Sequence, residues 1–376
     1  MFRYQQYFVE KIAVSVAILF LCAAPALAIH PDTKAEIENL KKRIEALESQ
    51  QKSAVPTNGQ DLDFGQFSKY VTLHGLLEAD AFYAQSGDSD DESDLTLATA
   101  ELSIEATLSE MVGGHVILLY EEEAGEDDDI DIDEAVLSLT SPTPVFGQTA
   151  SVHVGRMYVP FGMFNSFMVS DPLTLELGET RKTAALFALT GDVWVLKAGV
   201  FNGDADADGD NNHIDNFVAS LELRSVENLA FGVSYINDLA ESDRELVQDT
   251  DLYSGNVAGA SAFLSARWGQ FDLELEYLAA LDAFDRALIA PGDGLTGKRP
   301  EAWNFELAWM PVEKIQLAVR YEAANDFQDD VQRYGATASY GLHKNVVVAL
   351  EYLRADADVA VDDTVDVVTA QLALEF

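Results

Sequence analysis

Basic side chains are scarce in this chain, so their positions mark the places where an anion could be bound. The sequence has 376 residues, with 23 Lys and Arg against 65 Asp and Glu, and a formal net charge of −42. Arg and Lys give charge-assisted hydrogen bonds to carboxylates and phosphates. Three of them fall within residues 155–183, a stretch too long for an ordinary turn. The basic side chains predicted to contact a solute are Arg156, Arg181, Lys182, Arg224, Arg267, Arg320 and Arg333.

An acidic segment near residue 210 has the spacing of a calcium loop. Carboxylates at alternate positions followed by glycine match the opening of such a loop. Its last position holds Asp215 in place of the usual bidentate Glu, and no helical pattern flanks it. Binding of Ca²⁺ and a merely solvated acidic loop both remain open, and no other cofactor is predicted. The ligands of the Ca²⁺ hypothesis are Asp204, Asp206, Asp208, Asp210 and Asp215.

Composition and motifs argue against several other functions. Nucleic-acid binding needs a basic face, which a net charge of −42 does not supply. The single Cys22 excludes a disulfide framework. The six His are scattered, without a metalloprotease motif or a nucleophile elbow. We therefore predict neither a nucleic-acid partner nor an enzyme.

The first 69 residues are predicted to precede the folded body. Residues 1–28 have a positive start, an apolar run and the small-x-small pattern Ala26-Leu27-Ala28, which indicate a signal peptide; an uncleaved anchor is the alternative. Residues 30–51 carry apolar positions spaced 3, 4 and 3 apart, which predicts a short coiled-coil helix; a lone amphipathic helix is the alternative. Residues 52–69 are predicted to be a linker.

From residue 70 to 376 the hydrophobic period is two. The segment 364–376 shows it clearly, with apolar residues at every even position from Val368 to Phe376. After residue 28 no apolar run approaches the roughly 18 residues of a membrane helix. Candidate strands of about ten residues recur at regular spacing, about 16 in all, with 14 to 18 open. The predicted fold is all-β: a transmembrane antiparallel β-barrel over residues 70–376, preceded by the coiled-coil helix.

The two strand faces differ as the wall of a membrane barrel requires. A soluble β-sandwich also alternates, but here Trp and Tyr cluster near strand ends on the apolar face, as in interfacial girdles. Strand parity puts more acids than bases on the other face, which predicts a cation-preferring lumen. The bases predicted there are Lys197, Arg224, Arg267, Arg320 and Arg333. The acids are Glu78, Glu101, Glu105, Glu222, Asp272, Glu274, Glu276, Glu306, Glu322, Glu351 and Glu375.

One stretch resembles a known family. Gly-Arg-Met-Tyr-Val-Pro-Phe-Gly from residue 155 and Ser-Asp-Pro-Leu-Thr-Leu-Glu-Leu-Gly-Glu from residue 170 look like siderophore porins of the legiobactin-uptake type. The chain is also distantly similar to phosphate-selective porins. The resemblance implies passage of a ferric siderophore across an outer membrane without a TonB-driven plug. A mixed-charge segment over 155–183 also resembles the constriction loop of porins; a loop packed outside on the rim is the alternative.

Three functions follow as hypotheses. The first is facilitated diffusion of a small solute, a ferric siderophore, and the second is a general cation-selective pore. The third is a structural tether that reaches toward the cell wall through a periplasmic coiled coil. The expected location is the outer membrane of a Gram-negative bacterium, in contact with lipid and lipopolysaccharide. Further expected partners are the barrel assembly machinery, through the strand ending in Phe376, and a second copy of the chain through residues 34–51.

Overall fold

The computed structural model describes residues 69–87, 91–122, 130–205, 213–224, 228–244, 246–247, 253, 255–284, 298–327, 330–357 and 363–376. The predicted signal peptide, the coiled-coil helix and the linker up to residue 68 lie outside these ranges. Among the described residues, no helix has both the length and the apolar character needed to cross a bilayer.

The described residues form sixteen antiparallel strands that close into one barrel. Each strand pairs with its neighbours in sequence, and β1 pairs with β16, so the predicted barrel is confirmed. The strands are β1 Val71–Ser86, β2 Glu92–Ser109, β3 Val112–Tyr120, β4 Asp131–Thr140, β5 Thr149–Tyr158, β6 Arg181–Thr190, β7 Trp194–Phe201, β8 Asn216–Arg224, β9 Leu229–Ile236, β10 Gly259–Trp268, β11 Phe271–Ala280, β12 Glu301–Val312, β13 Ile315–Asn325, β14 Val331–His343, β15 Val346–Ala357 and β16 Asp363–Glu375. Two short helices, α1 Leu173–Gly178 and the 3-10 helix η1 Leu239–Glu241, lie between strands.

Alternation along the strands separates an apolar outer face from a polar lumen. In β12 the outer residues Trp303 and Trp309 alternate with the buried residues Asn304, Glu306 and Ala308. Stacked aromatic rings lie on the outer face at one strand end, where Phe271 packs between Trp268 and Trp309. Toward the other end, the exposed Tyr83, Tyr277 and Tyr352 donate from their hydroxyls to Asp91, Glu301 and Asp366. Two aromatic belts with an apolar band between them are typical of a membrane-spanning barrel.

The two ends of the barrel differ in the length of their connections. One end carries short links, such as residues 269–270 and 344–345. The opposite end carries the long ones, including residues 159–180, 202–215, 237–258 and 281–300. Membrane barrels of this class have short periplasmic turns and longer extracellular loops. We refer to the two ends as the turn end and the loop end.

The last strand closes the barrel through a backbone and ring contact. Phe376 and Gly75 exchange two backbone hydrogen bonds, of 2.8 and 3.0 Å. The Phe376 ring lies so close to Gly75 that a Cβ at position 75 would clash with the ring. A side chain at position 75 would therefore displace the Phe376 ring.

Candidate functional site

The connection between β5 and β6 folds into the lumen. It covers residues 159–180, because β5 extends to Tyr158 and β6 begins at Arg181. The loop predicted at 155–183 is therefore shorter than expected, and Arg156, Arg181 and Lys182 belong to strands. Their register explains the difference, since Arg156 pairs with Thr183 and Tyr158 with Arg181. We call residues 159–180 the constriction loop.

Carboxylates of the barrel wall accept the backbone N–H groups of the constriction loop. Glu276 accepts hydrogen bonds from the N–H groups of Met163 at 2.7 Å and Phe164 at 2.9 Å. A loop inside a barrel has few other partners for its N–H groups, and unpaired buried N–H groups are costly. The further bonds are Phe167 N–H to Glu306 at 2.5 Å, Val169 and Ser170 N–H to Glu351 at 2.5 and 3.2 Å, and Leu173 N–H to Glu322 at 2.7 Å.

Arg320 fixes the middle of the same loop. Its side chain is fully buried, and its Nε donates to Glu306 Oε1 at 2.8 Å. The other nitrogens donate to the loop, namely Nη1 to Ser170 Oγ and Asp171 O, and Nη2 to Ser166 Oγ and Ser170 O. Arg333 adds an ion pair of 2.5 Å to Glu176. The lumenal ion pairs of β12 to β14 thus hold the loop in place.

Apolar side chains seal the loop against the barrel wall on its other face. Phe161, Phe164, Leu173 and Leu177 are buried in one cluster with inward-facing wall residues such as Leu278. Phe167 and Met168 form a second cluster with Ala308 and Ala318. Packing of this kind excludes water from the side of the lumen that the loop occupies.

A second loop, residues 237–258, packs at the loop end and joins the same apolar cluster through Leu239 and Ala240. Its Glu241 is 1% exposed and accepts the N–H groups of Asp204 and Ala205 at 2.8 and 3.1 Å. Lys182 donates to Glu241 at 3.0 Å. We call residues 237–258 the buttress loop, because it connects β6, the constriction loop and the connection after β7.

A buried carboxyl anchors the buttress loop. Asp238 Oδ1 accepts hydrogen bonds from Tyr253 Oη at 2.5 Å, Ala240 N–H at 3.0 Å and Val257 N–H at 3.3 Å. Burial raises the pKa of Asp238 from 3.8 to about 6. Burial and the neighbouring Asp238 also raise the pKa of the Tyr253 hydroxyl. Neither residue was singled out from the sequence, where a lone Asp in a loop gives no signal of burial.

The three basic residues near the loop end do not share one face. Lys182 lies on the lumenal face of β6 with the buried Ala184. Arg181 lies on the opposite face with Phe187. Arg156 lies on that face as well, because it pairs with Thr183 of β6. Arg156 and Arg181 both pair with Asp131, at 3.1 and 3.4 Å.

The remaining predicted contact residues lie elsewhere in the barrel. Arg320 and Arg333 hold the constriction loop. Arg224 and Arg267 lie at the turn end, where Arg224 pairs with Glu222 at 2.6 Å and Arg267 with Asp272 at 2.7 Å. The structure therefore distributes the seven bases over three levels of the barrel.

The predicted Ca²⁺ loop falls mostly on residues that the structure does not describe. Asp206, Asp208 and Asp210 lie outside the described ranges, while Asp204 pairs with Lys182 at 2.7 Å. Ca²⁺ binding there stays a prediction.

The wall away from the constriction loop has acids without bases. Strands β1 to β4 and β16 contain no Lys or Arg within their bounds, and β15 contains only Arg354. Arg354 lies on the same face of β15 as the exposed Tyr352, two residues away, and pairs with Asp366, so it lies on the outer face. On the lumenal face of β1 stand Glu78 and Asp80, and Glu134 of β4 bonds His115 at 2.6 Å. The negative charge of this wall is not balanced by cationic side chains of its own strands.

The chain has distant relatives among known protein sequences. No family model matches the chain. The chain is 25% identical over 330 residues to the UPF0422 protein lpg2959 of Legionella pneumophila, covering 77% of this chain and 59% of that protein. It is 23% identical over 248 residues to a UPF0422 protein of Coxiella burnetii, covering 63% of this chain and 52% of that protein. The chain spans between half and three fifths of these relatives.

The structural neighbours are barrels. The outer membrane channel DcaP of Acinetobacter baumannii superposes with a TM-score of 0.61 at 14% identity, covering 81% of this chain and 97% of that one. OprB of Pseudomonas putida gives 0.60 at 9% identity, covering 83% and 96%. OmpF of Salmonella typhi, in complex with daunomycin, gives 0.58 at 12% identity, covering 81% and 97%. The chain therefore has a porin fold.

Proposed function

We propose that the protein is a diffusion channel of the outer membrane of a Gram-negative bacterium and that it passes small cations. The porin fold and the aromatic belts support a membrane-spanning pore. The observation that carries the cation preference is the wall formed by β1 to β4 and β16, which bears lumenal carboxylates and no Lys or Arg. Fixed negative charge along a water-filled passage attracts cations and repels anions.

The lumenal carboxylates divide into two groups in this proposal. Glu276, Glu306, Glu322 and Glu351 are engaged with backbone N–H groups of the constriction loop. They position the loop. The lumenal carboxylates of β1 and β2 face the part of the lumen that the constriction loop does not fill, and they set the charge of that part. The total acidity of the lumen is therefore a poor guide to selectivity, since the carboxylates of the first group are already engaged with the constriction loop.

The test is conductance of the purified barrel in a planar bilayer. In a tenfold KCl gradient, the reversal potential is expected to have the sign of K⁺ permeation, because the acidic wall favours cations. A chloride-selective channel would contradict the proposal. No openings from correctly folded protein would favour the structural tether, which deletion of residues 30–52 would then test in cells.

A second candidate is passage of an anionic ferric siderophore without TonB. It rests on the three basic residues at the loop end, Arg156, Arg181 and Lys182, of which Lys182 lies on the lumenal face. Addition of ferric siderophores should then reduce the single-channel current at micromolar concentration, and charge reversal at these three residues should remove the effect. Indifference to every siderophore would leave the cation channel alone.

Other expectations remain proposals. They are contact with lipopolysaccharide, insertion by the assembly machinery through the strand ending in Phe376, self-association through residues 34–51, a periplasmic coiled coil, Ca²⁺ binding near Asp204 and the absence of enzymatic activity. Association of copies can be measured by light scattering of the detergent-solubilised protein with and without residues 34–51.

A further inference from the structure

Two carboxylates on β1 differ from those that hold the constriction loop. Glu78 and Asp80 are two residues apart on the lumenal face, a Cα separation of roughly 7 Å along a strand. Glu78 is 5% exposed, and its Oε1 is buried without a hydrogen-bond partner among the described residues. Asp80 Oδ1 is likewise buried and unpartnered within that part of the chain.

Their neighbours in the sheet are neutral. Register places Glu78 opposite Thr99 of β2 and Ala373 of β16, and it places Asp80 opposite Thr96 and Gln371. Gln371 hydrogen-bonds the Asp80 side chain and supplies no charge. The adjoining strands β2 and β16 contain no Lys or Arg. A buried carboxylate is normally paired or hydrogen-bonded, because its ionised form is otherwise strongly disfavoured. No Lys or Arg of the adjoining strands pairs with either carboxylate.

The local backbone supports a site with a defined shape. The register between β1 and β2 shifts between Glu78 and Asp80, so the ladder is interrupted opposite Ala79. Such irregularities redirect side chains and recur next to functional sites. Glu351 of β15 adds negative charge nearby, while both of its oxygens are held by the constriction loop.

We propose that Glu78 and Asp80 bind a permeating cation, either a metal ion or a primary ammonium, at one step of its passage through the lumen. The inference rests on the proposed cation channel and deepens it. The two oxygens without partners supply the ligands, and Gln371 supplies a neutral carbonyl or amide beside them. Because the neighbouring strands contain no Lys or Arg, no basic side chain on them competes with the cation for these two carboxylates.

The test compares the full chain with the variant Glu78→Gln/Asp80→Asn in planar bilayers. A matched control is Glu301→Gln/Asp366→Asn, which removes the same charge from the outer face, where Tyr277 and Tyr352 bond these two carboxylates. In a KCl gradient the lumenal variant should lose at least about threefold in its ratio of K⁺ to Cl⁻ permeability, and the control should not. Block of the K⁺ current by millimolar Mg²⁺ and by methylammonium, measured separately, identifies which cation the site prefers.

The outcomes separate the site from the function. Loss of selectivity and of block in the lumenal variant alone supports the site. A cation-selective wild type whose selectivity and block survive the double substitution overturns the site and leaves the channel proposal standing. A wild type without cation preference overturns both. Because the double variant can fail to form a heat-stable barrel, Asp80→Asn alone provides the second test, since the amide can still pair with Gln371.

Discussion

Arg320 donates from Nε to Oε1 of Glu306 at 2.8 Å, and both side chains are fully buried between the barrel wall and the constriction loop. This pair makes the loop part of the wall, since the same guanidinium also reaches Ser166, Ser170 and the carbonyl of Asp171. Removing one partner of a buried ion pair leaves a charge without compensation. Such a loss costs far more than removing an exposed pair.

The substitution Arg320→Met should therefore loosen the constriction loop and destabilise the barrel. We expect a loss of about 3–5 kcal/mol in the free energy of unfolding and a larger, noisier single-channel conductance. Urea unfolding and bilayer recordings measure the two effects. Arg267→Met is the matched control, because Arg267 has 52% of its side chain exposed in its pair with Asp272. Wild-type stability and conductance in Arg320→Met would contradict this role.

Glu351 should control the mobility of the loop tip. Its carboxylate accepts the N–H groups of Val169 and Ser170, and Glu351→Gln would place an amide donor against one of them. We expect the loss of this contact to lower the free energy of unfolding by about 1–3 kcal/mol. Hydrogen exchange of the peptide spanning residues 163–173 should become faster. Glu222→Gln, whose partner is Arg224 at the turn end, should leave that exchange unchanged.

The strands could be predicted from the sequence because alternation reports directly on a wall with two environments. The predicted number of about 16 strands agrees with the sixteen strands of the closed barrel. The beginning of β6 was missed, since Arg181 and Lys182 break the apolar pattern while still pairing with Tyr158 and Met157. Polar residues at a strand end above the membrane look the same as loop residues.

Only part of the constriction site could be predicted from the sequence. Parity placed Glu276 and Glu351 in the lumen, and the mixed-charge segment over 155–183 resembled a constriction loop. What each carboxylate binds could not be predicted, because Met163 and Glu276 are 113 residues apart and Val169 and Glu351 are 182 apart. Contacts at such separation depend on the closure of the barrel, which local patterns do not encode.

The stability of the buttress loop should depend on pH through Asp238. Its pKa of about 6 in the fold exceeds the ordinary 3.8, so the folded state binds the proton more tightly than the unfolded state. The contribution of protonated Asp238 to the free energy of unfolding is complete below about pH 4. It is lost as the pH rises through 6, and the loss is at most about 3 kcal/mol. Unfolding midpoints of wild type and Asp238→Asn between pH 4 and 7.5 measure it as their difference. Asp282→Asn, at an exposed loop position, is the control.

Gly155 of β5 should tolerate no side chain. Its φ is +145°, and a Cβ at this position would clash with the backbone carbonyl oxygen of Ala135 on β4. The substitution Gly155→Ala therefore forces β4 and β5 apart just below the constriction loop, at a cost of at least about 1–3 kcal/mol. Heat-dependent mobility on gels and urea midpoints should both fall. Gly341→Ala, where the nearest atom outside the local chain is 3.9 Å away, should stay close to wild type. Equal stability of the two variants would contradict this steric requirement at Gly155.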